Sequence, residues 1–189
     1  MRKNNSLNIR KIAMLSMFVT ISLTIFVLES LMPPVVNIPG IKPGFANIVT
    51  LFLLVNTNKR SAFTVLIVRV ILASIFAGQI MSLFYSLSGG ILSLLAMSIV
   101  LYITKKKTVW FASVVGAIFH NIGQILAAVV VLGSWTVIGY LPVLLIAGCI
   151  TGLITGLITE FLDRSLAKGT FLNRLNKILC VKKQEVDIN

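Results

Sequence analysis

Few side chains in this chain could do chemistry. Four ionisable ones, Glu29, Arg69, His120 and Glu160, stand inside or at the ends of long hydrophobic runs. Ionisable groups at membrane depth are costly and usually face a cavity or a partner. Neutral polar side chains join them: Asn47, Gln79, Tyr85, Ser88, Asn121 and Gln124. His120 and Gln124 are four residues apart, so a helix sets them on one face, one turn from each other. His120 suits a proton carrier, a ligand contact or a helix–helix donor. Arg69 suits a snorkelling cation, a partner for Glu160, or a coupling or substrate contact. Taken singly, an Asn or Gln here is equally well interhelical glue. Taken together at one depth, the set points to a pocket.

The chain offers no catalytic constellation. His120 is the only histidine, so metal-ligand spacing is absent and no metal or cofactor is expected. Cys149 and Cys180 fall at different depths, and a disulfide is not expected. The acidic residues are Glu29, Glu160, Asp163, Glu185 and Asp187, and none forms the Asp-rich pairs that hold Mg²⁺ on a diphosphate. There is no GxxxxGK[ST] phosphate loop, so the chain would not hydrolyse ATP itself.

The elements that position these residues follow from composition. The 189 residues are 57% hydrophobic and only 12% charged, with a mean hydropathy of +1.00. That composition marks a membrane protein and excludes a disordered or disulfide-rich secreted chain. Long apolar runs argue for helices over an outer-membrane barrel. Six runs are candidate spans: Ile12–Met32, Gly44–Asn56, Ser61–Ser82, Phe84–Thr104, Thr108–Leu132 and Gly139–Leu162. The second is short for a core of roughly 30 Å. Charge nevertheless requires it. With six spans, every Lys and Arg except Lys42 and Arg69 falls on one side. The positive-inside rule makes that side, with both termini, cytoplasmic. The net charge of +12 is thereby assigned to topology and anionic lipid, not to nucleic acid.

The expected protein is all-α and polytopic, in the cell membrane. It has a basic cytoplasmic N-terminus (1–11), a six-helix membrane domain (12–162) and a basic cytoplasmic tail (163–189). In the tail, Phe171, Leu172, Leu175, Ile178 and Leu179 share a helical face, as in a helix lying on the membrane surface. Depth counting puts Glu29, Asn47, Gln79, Tyr85, Ser88, Asn121 and Gln124 in the outer half, above His120. Gly89 opens span four, where bare backbone suits a ligand. The Pro-rich segment Pro33–Lys42, with Asn37 and Lys42, is an outer loop placed to lid such a pocket. Gly148, Gly152 and Gly156 form a packing ladder in span six. Ser16, Thr20 and Thr24 make a small-residue ridge on span one.

The segments IPGIKPGFANIVTL (Ile38–Leu51), FYSLSGGILS (Phe84–Ser93), GAIFHNIGQ (Gly116–Gln124) and GCITGLITG (Gly148–Gly156) carry a resemblance. The chain resembles the membrane family described as heptaprenyl diphosphate synthase component I, or Gx transporter. That family is similar to the substrate-binding S components of energy-coupling factor (ECF) transporters. The resemblance implies a six-helix S component that captures a small vitamin-, flavin- or quinone-precursor-like molecule. It implies as partners a membrane scaffold protein and two ATPase subunits. In S components an Ala-x-x-x-Ala pair on span one meets the scaffold. Here Ala13 is followed by Met17, and the Ser16–Thr20–Thr24 ridge stands in its place. The alternatives are an accessory subunit in polyisoprenoid or menaquinone metabolism, and a subunit of a redox complex for flavin-based extracellular electron transfer.

Overall fold

The computed structural model describes residues 2–31, 42, 44–78, 80–167 and, in the tail, 172, 175, 178 and 179. Every regular element among them is helical. The order is α1 (Arg2–Ser30), α2 (Asn47–Asn56), α3 (Lys59–Ala77), α4 (Ile80–Ile103), α5 (Val109–Leu132), a 3₁₀ turn (Trp135–Tyr140) and α6 (Leu141–Ala167). Four stretches are long and apolar enough to cross a membrane: Ile9–Ser30, Ile80–Ile103, Val109–Leu132 and Trp135–Leu166. We call the end where α1, α3 and α5 finish the head, and the other end the base.

Local chemistry sets the boundaries. Asn58 caps α3 by accepting from Ser61 N–H at 2.8 Å. Gly78, left-handed at φ +62, stops the same helix. This shortens the third run, which the hydropathy pattern alone carries to Ser82. Residues from Ile80 onward belong to α4 instead. Arg69 is therefore past the middle of its helix on the way to the head.

In lipid, packing and interhelical hydrogen bonds hold helices together, because the surroundings are as apolar as the side chains. The seam between α5 and α6 shows how. A β-carbon at Gly152 would stand 2.8 Å from Val114 Cα, and one at Gly156 would stand 2.6 Å from Trp110 Cα. Only hydrogen fits there, so the two backbones come close. Ser113 and Thr155 share a buried hydroxyl hydrogen bond of 2.9 Å beside them. Side chains facing away from the bundle are large and apolar, including Phe76, Ile80, Val130 and Phe161.

α2 is the hub. Its residues Val49 to Leu54 are all buried, and it packs against each of the other five helices. Ten residues at about 1.5 Å each cover only half of a hydrocarbon core of roughly 30 Å. Its core joins Leu51, Leu53 and Phe52 to Phe18 of α1, Leu66 of α3 and Met97 of α4. Leu172, Leu175 and Leu179 of the tail are buried in the same cluster, and Asn58 Nδ2 donates to Leu179 O at 2.9 Å. The apolar stripe of the tail thus finds its partner in the base of the bundle.

Candidate functional site

The turn that leads into α2 needs an acceptor for the Gly44 and Phe45 N–H groups, whose own carbonyls take the N–H groups of Asn47 and Ile48. Glu29, in the last turn of α1, supplies it. Glu29 Oε1 accepts from Gly44 N–H at 2.5 Å and from Phe45 N–H at 3.1 Å. A carboxylate at a helix N-terminus also meets the favourable end of the helix dipole. Gly44 is required on two counts. Its φ is +91, and a β-carbon there would sit 2.8 Å from His120 Cδ2. Lys42 completes the clasp: its ammonium lies 3.6 Å over the Phe26 ring and donates to Ser30 Oγ. Partial burial holds the Lys42 ammonium below the ordinary lysine range, while Glu29 pulls it the other way.

Arg69 is only 5% exposed. Its Nη2 donates to Asn47 Oδ1 at 3.4 Å, a long bond, and its Nε has no partner among the described residues. Glu29 and His120 both lie within its electrostatic reach. His120 and Gln124 are buried as deeply. Gln124 Nε2 donates to His120 Nε2 at 3.0 Å, which leaves the ring proton on Nδ1. That Nδ1 lies against the Gly89 backbone, within its hydrogen-bonding reach, while Gln124 Oε1 is unpartnered among the described residues. An unpartnered buried polar atom costs about 1–3 kcal/mol. Arg69 Nε and Gln124 Oε1, a donor and an acceptor from α3 and α5, share that condition with other buried polar atoms of the bundle, Asn121 Oδ1 and the Ser93 and Ser98 hydroxyls among them.

One place near the head therefore gathers Glu29, Lys42, Asn47, Arg69, Gly89, His120 and Gln124. It has two formal cations, Lys42 and Arg69, to one carboxylate. Helices α1 to α5 all contribute. Other residues singled out from the sequence go elsewhere. Asn121 turns to α6 and donates to Leu144 O at 2.6 Å. Ser88 donates to Gly123 O at 2.9 Å and ties α4 to α5. Tyr85 is packed with Ile125, Ala128, Val137 and Leu144. Asn37 and Gln79, with most of the Pro33–Lys42 loop, lie outside the described residues.

The Arg69–Glu160 pairing weighed from the sequence does not form. Glu160 pairs with Arg164 at 2.5 Å, one turn away on α6, because Arg69 lies toward the opposite end of the bundle. Gly44 is a member that sequence reasoning passed over. Its signal was a glycine after Pro43 at the threshold of an apolar helix. On α1, Ala13, Ser16, Thr20 and Thr24 are all exposed. Thr20 Oγ1 donates to Ser16 O and Thr24 Oγ1 to Thr20 O, each at 3.0 Å, so both threonine hydroxyls are satisfied within the helix. Among the described residues, no three His, Cys, Asp or Glu side chains gather as a metal site.

The model of a family described as heptaprenyl diphosphate synthase component I matches residues 18–162, a stretch that holds every member of the cluster. No curated protein and no solved structure matches the chain.

Proposed function

We propose that this chain, which belongs to the heptaprenyl diphosphate synthase component I family, is a membrane subunit that binds a small molecule in the polar cluster near its head. The observation that carries the reading is the convergence of buried polar groups from five helices, with a donor, Arg69 Nε, and an acceptor, Gln124 Oε1, left open among them. A ligand placed there would satisfy both.

The fuller reading is a substrate-binding component of an ECF-type importer. It has six spans, with α2 and α3 as the second and third, and both termini in the cytoplasm. The head then faces outside, and the clasp of Glu29, Lys42 and Gly44 lies where solute arrives. The energising work falls to partners, a scaffold protein and two ATPases. The exposed ridge of Ala13, Ser16, Thr20 and Thr24 is the proposed docking face for the scaffold, since small residues admit a close helix. Vitamin-, flavin- and quinone-precursor-like molecules are the solute classes in question.

The test is thermal unfolding of the purified protein with candidate solutes, together with mass spectrometry of whatever co-purifies. A bound molecule that raises the melting point of the wild type, and is lost from Arg69→Gln, supports the reading. Retention of that molecule by Arg69→Gln, or no bound molecule and no stabilising solute, overturns it. The family description favours a second reading, an accessory subunit in polyisoprenoid metabolism. Under that reading a separate catalytic subunit co-purifies, and cluster substitutions loosen that complex.

A further inference from the structure

Beside the polar cluster runs an apolar cleft. α1 packs on α2 and α3, while α6 packs on α5 and α2. Between α1 and α6, over α2, lies a cavity of about 320 Å³ whose lining side chains are all apolar. Met17, Ile21 and Ile25 form its α1 wall, Ile48 and Phe52 lie on α2, and Leu162 marks the α6 side. The cleft is open along α1, where Met17 and Ile21 are 41% and 43% exposed, and such an apolar lining accepts hydrocarbon.

Its direction follows from helical spacing. Met17, Ile21 and Ile25 are successive i+4 positions on α1, and the next position on that line is Glu29. Phe52 and Ile48 are likewise an i−4 pair on α2, and Ile48 adjoins Asn47, which accepts from Arg69. Glu29 holds the N–H groups of Gly44 and Phe45 just ahead of α2. The head end of each wall thus lies next to a member of the polar cluster. The α1 wall from Met17 to Ile25 is about 12 Å long at 1.5 Å per residue.

We infer that the ligand is a single-chain amphiphile, with an anionic head in the polar cluster and a hydrocarbon tail along the cleft between α1 and α6. The inference rests on the reading of the cluster as a binding site. The head is anionic because Arg69 and Lys42 outnumber Glu29 and because Arg69 Nε is an open donor. The tail is a single chain because a cavity of about 320 Å³ with apolar lining holds one short hydrocarbon chain and no more.

The experiment uses the full chain in lipid nanodiscs, with dodecyl phosphate, laurate, dodecane and inorganic phosphate as probes and thermal unfolding as readout. An upward shift of several degrees is expected with dodecyl phosphate or laurate, and little or none with dodecane or phosphate. Arg69→Gln should abolish the shift by removing the head contact. Ile21→Trp should abolish it by filling the slot, and Met17→Phe should reduce it, each checked for a wild-type melting point without probe. Equal shifts from dodecane would mean ordinary lipid-tail occupancy and overturn the inference. So would an unchanged dodecyl phosphate shift in both Ile21→Trp and Met17→Phe. If neither amphiphile binds but a polar molecule co-purifies and is lost from Arg69→Gln, the binding function stands and the amphiphile falls. If nothing binds in any arm, both fall.

Discussion

Glu29 has two duties, holding the turn that leads into α2 and facing Arg69 and Lys42, and substitution separates them. Glu29→Gln keeps an acceptor for Gly44 N–H and Phe45 N–H but removes the charge. Glu29→Ala removes both and leaves those two N–H groups bare, at a cost of about 1–3 kcal/mol. The expected order of thermal stability is wild type, then Gln, then Ala, read by unfolding in detergent. Gly44→Ala combines a left-handed backbone with a 2.8 Å contact on His120 Cδ2, and should cost about 1–3 kcal/mol. Asn121→Ala removes one bond to Leu144 O. It should lower stability by about 0.5–1.5 kcal/mol and leave ligand-induced stabilisation intact. A lost ligand response in that variant would place Asn121 in the pocket after all. Glu29, Asn47, His120 and Gln124 were readable from the sequence because polar groups in apolar runs have few places to go. The direction of Asn121 was not, because neighbouring residues on one helix differ by about 100° in heading. The hydropathy pattern marked both as buried and polar and said nothing of which neighbour each would face.

At the scale of the element, the seam between α5 and α6 depends on glycine. Gly156→Leu must push the Trp110 backbone aside, and overpacking of this kind costs about 1–3 kcal/mol or more. Gly139→Ala meets nothing within 4 Å and should stay within about 0.5 kcal/mol of wild type. Denaturant titration of both variants checks the pair. Helix type and four of the spans could be read directly, since runs of 20 apolar residues have one meaning in a bilayer. The end of α3 could not, because the apolar run continues past Gly78 and only backbone conformation marks the stop. That local turn is also what places Arg69 near Asn47 and away from Glu160.

For the whole molecule, the charge asymmetry sets a topological prediction. Lys59, Arg60 and Lys105 to Lys107 share the base with Arg164. With native cysteines replaced, a cysteine at Lys106 should react with an impermeant thiol reagent only after the cells are opened. One at Gly133 should react in intact cells. The reverse pattern, or labelling of both in intact cells, would overturn the six-span arrangement. The alternation of charge was legible in the residues, but the surroundings of the ten-residue segment were not. In the structure α2 is enclosed by the other helices, with Val49 to Leu54 all buried.

That enclosure has a consequence for biogenesis. A segment so short cannot leave the translocation channel alone, because hydropathy released by ten residues does not repay burying both of its ends. Under the six-span reading α2 enters behind α1, paired with α3, and waits for α4 to close around it. A lesion in any of those neighbours would strand it, so variants far from the polar cluster should surface first as chains degraded by membrane quality control.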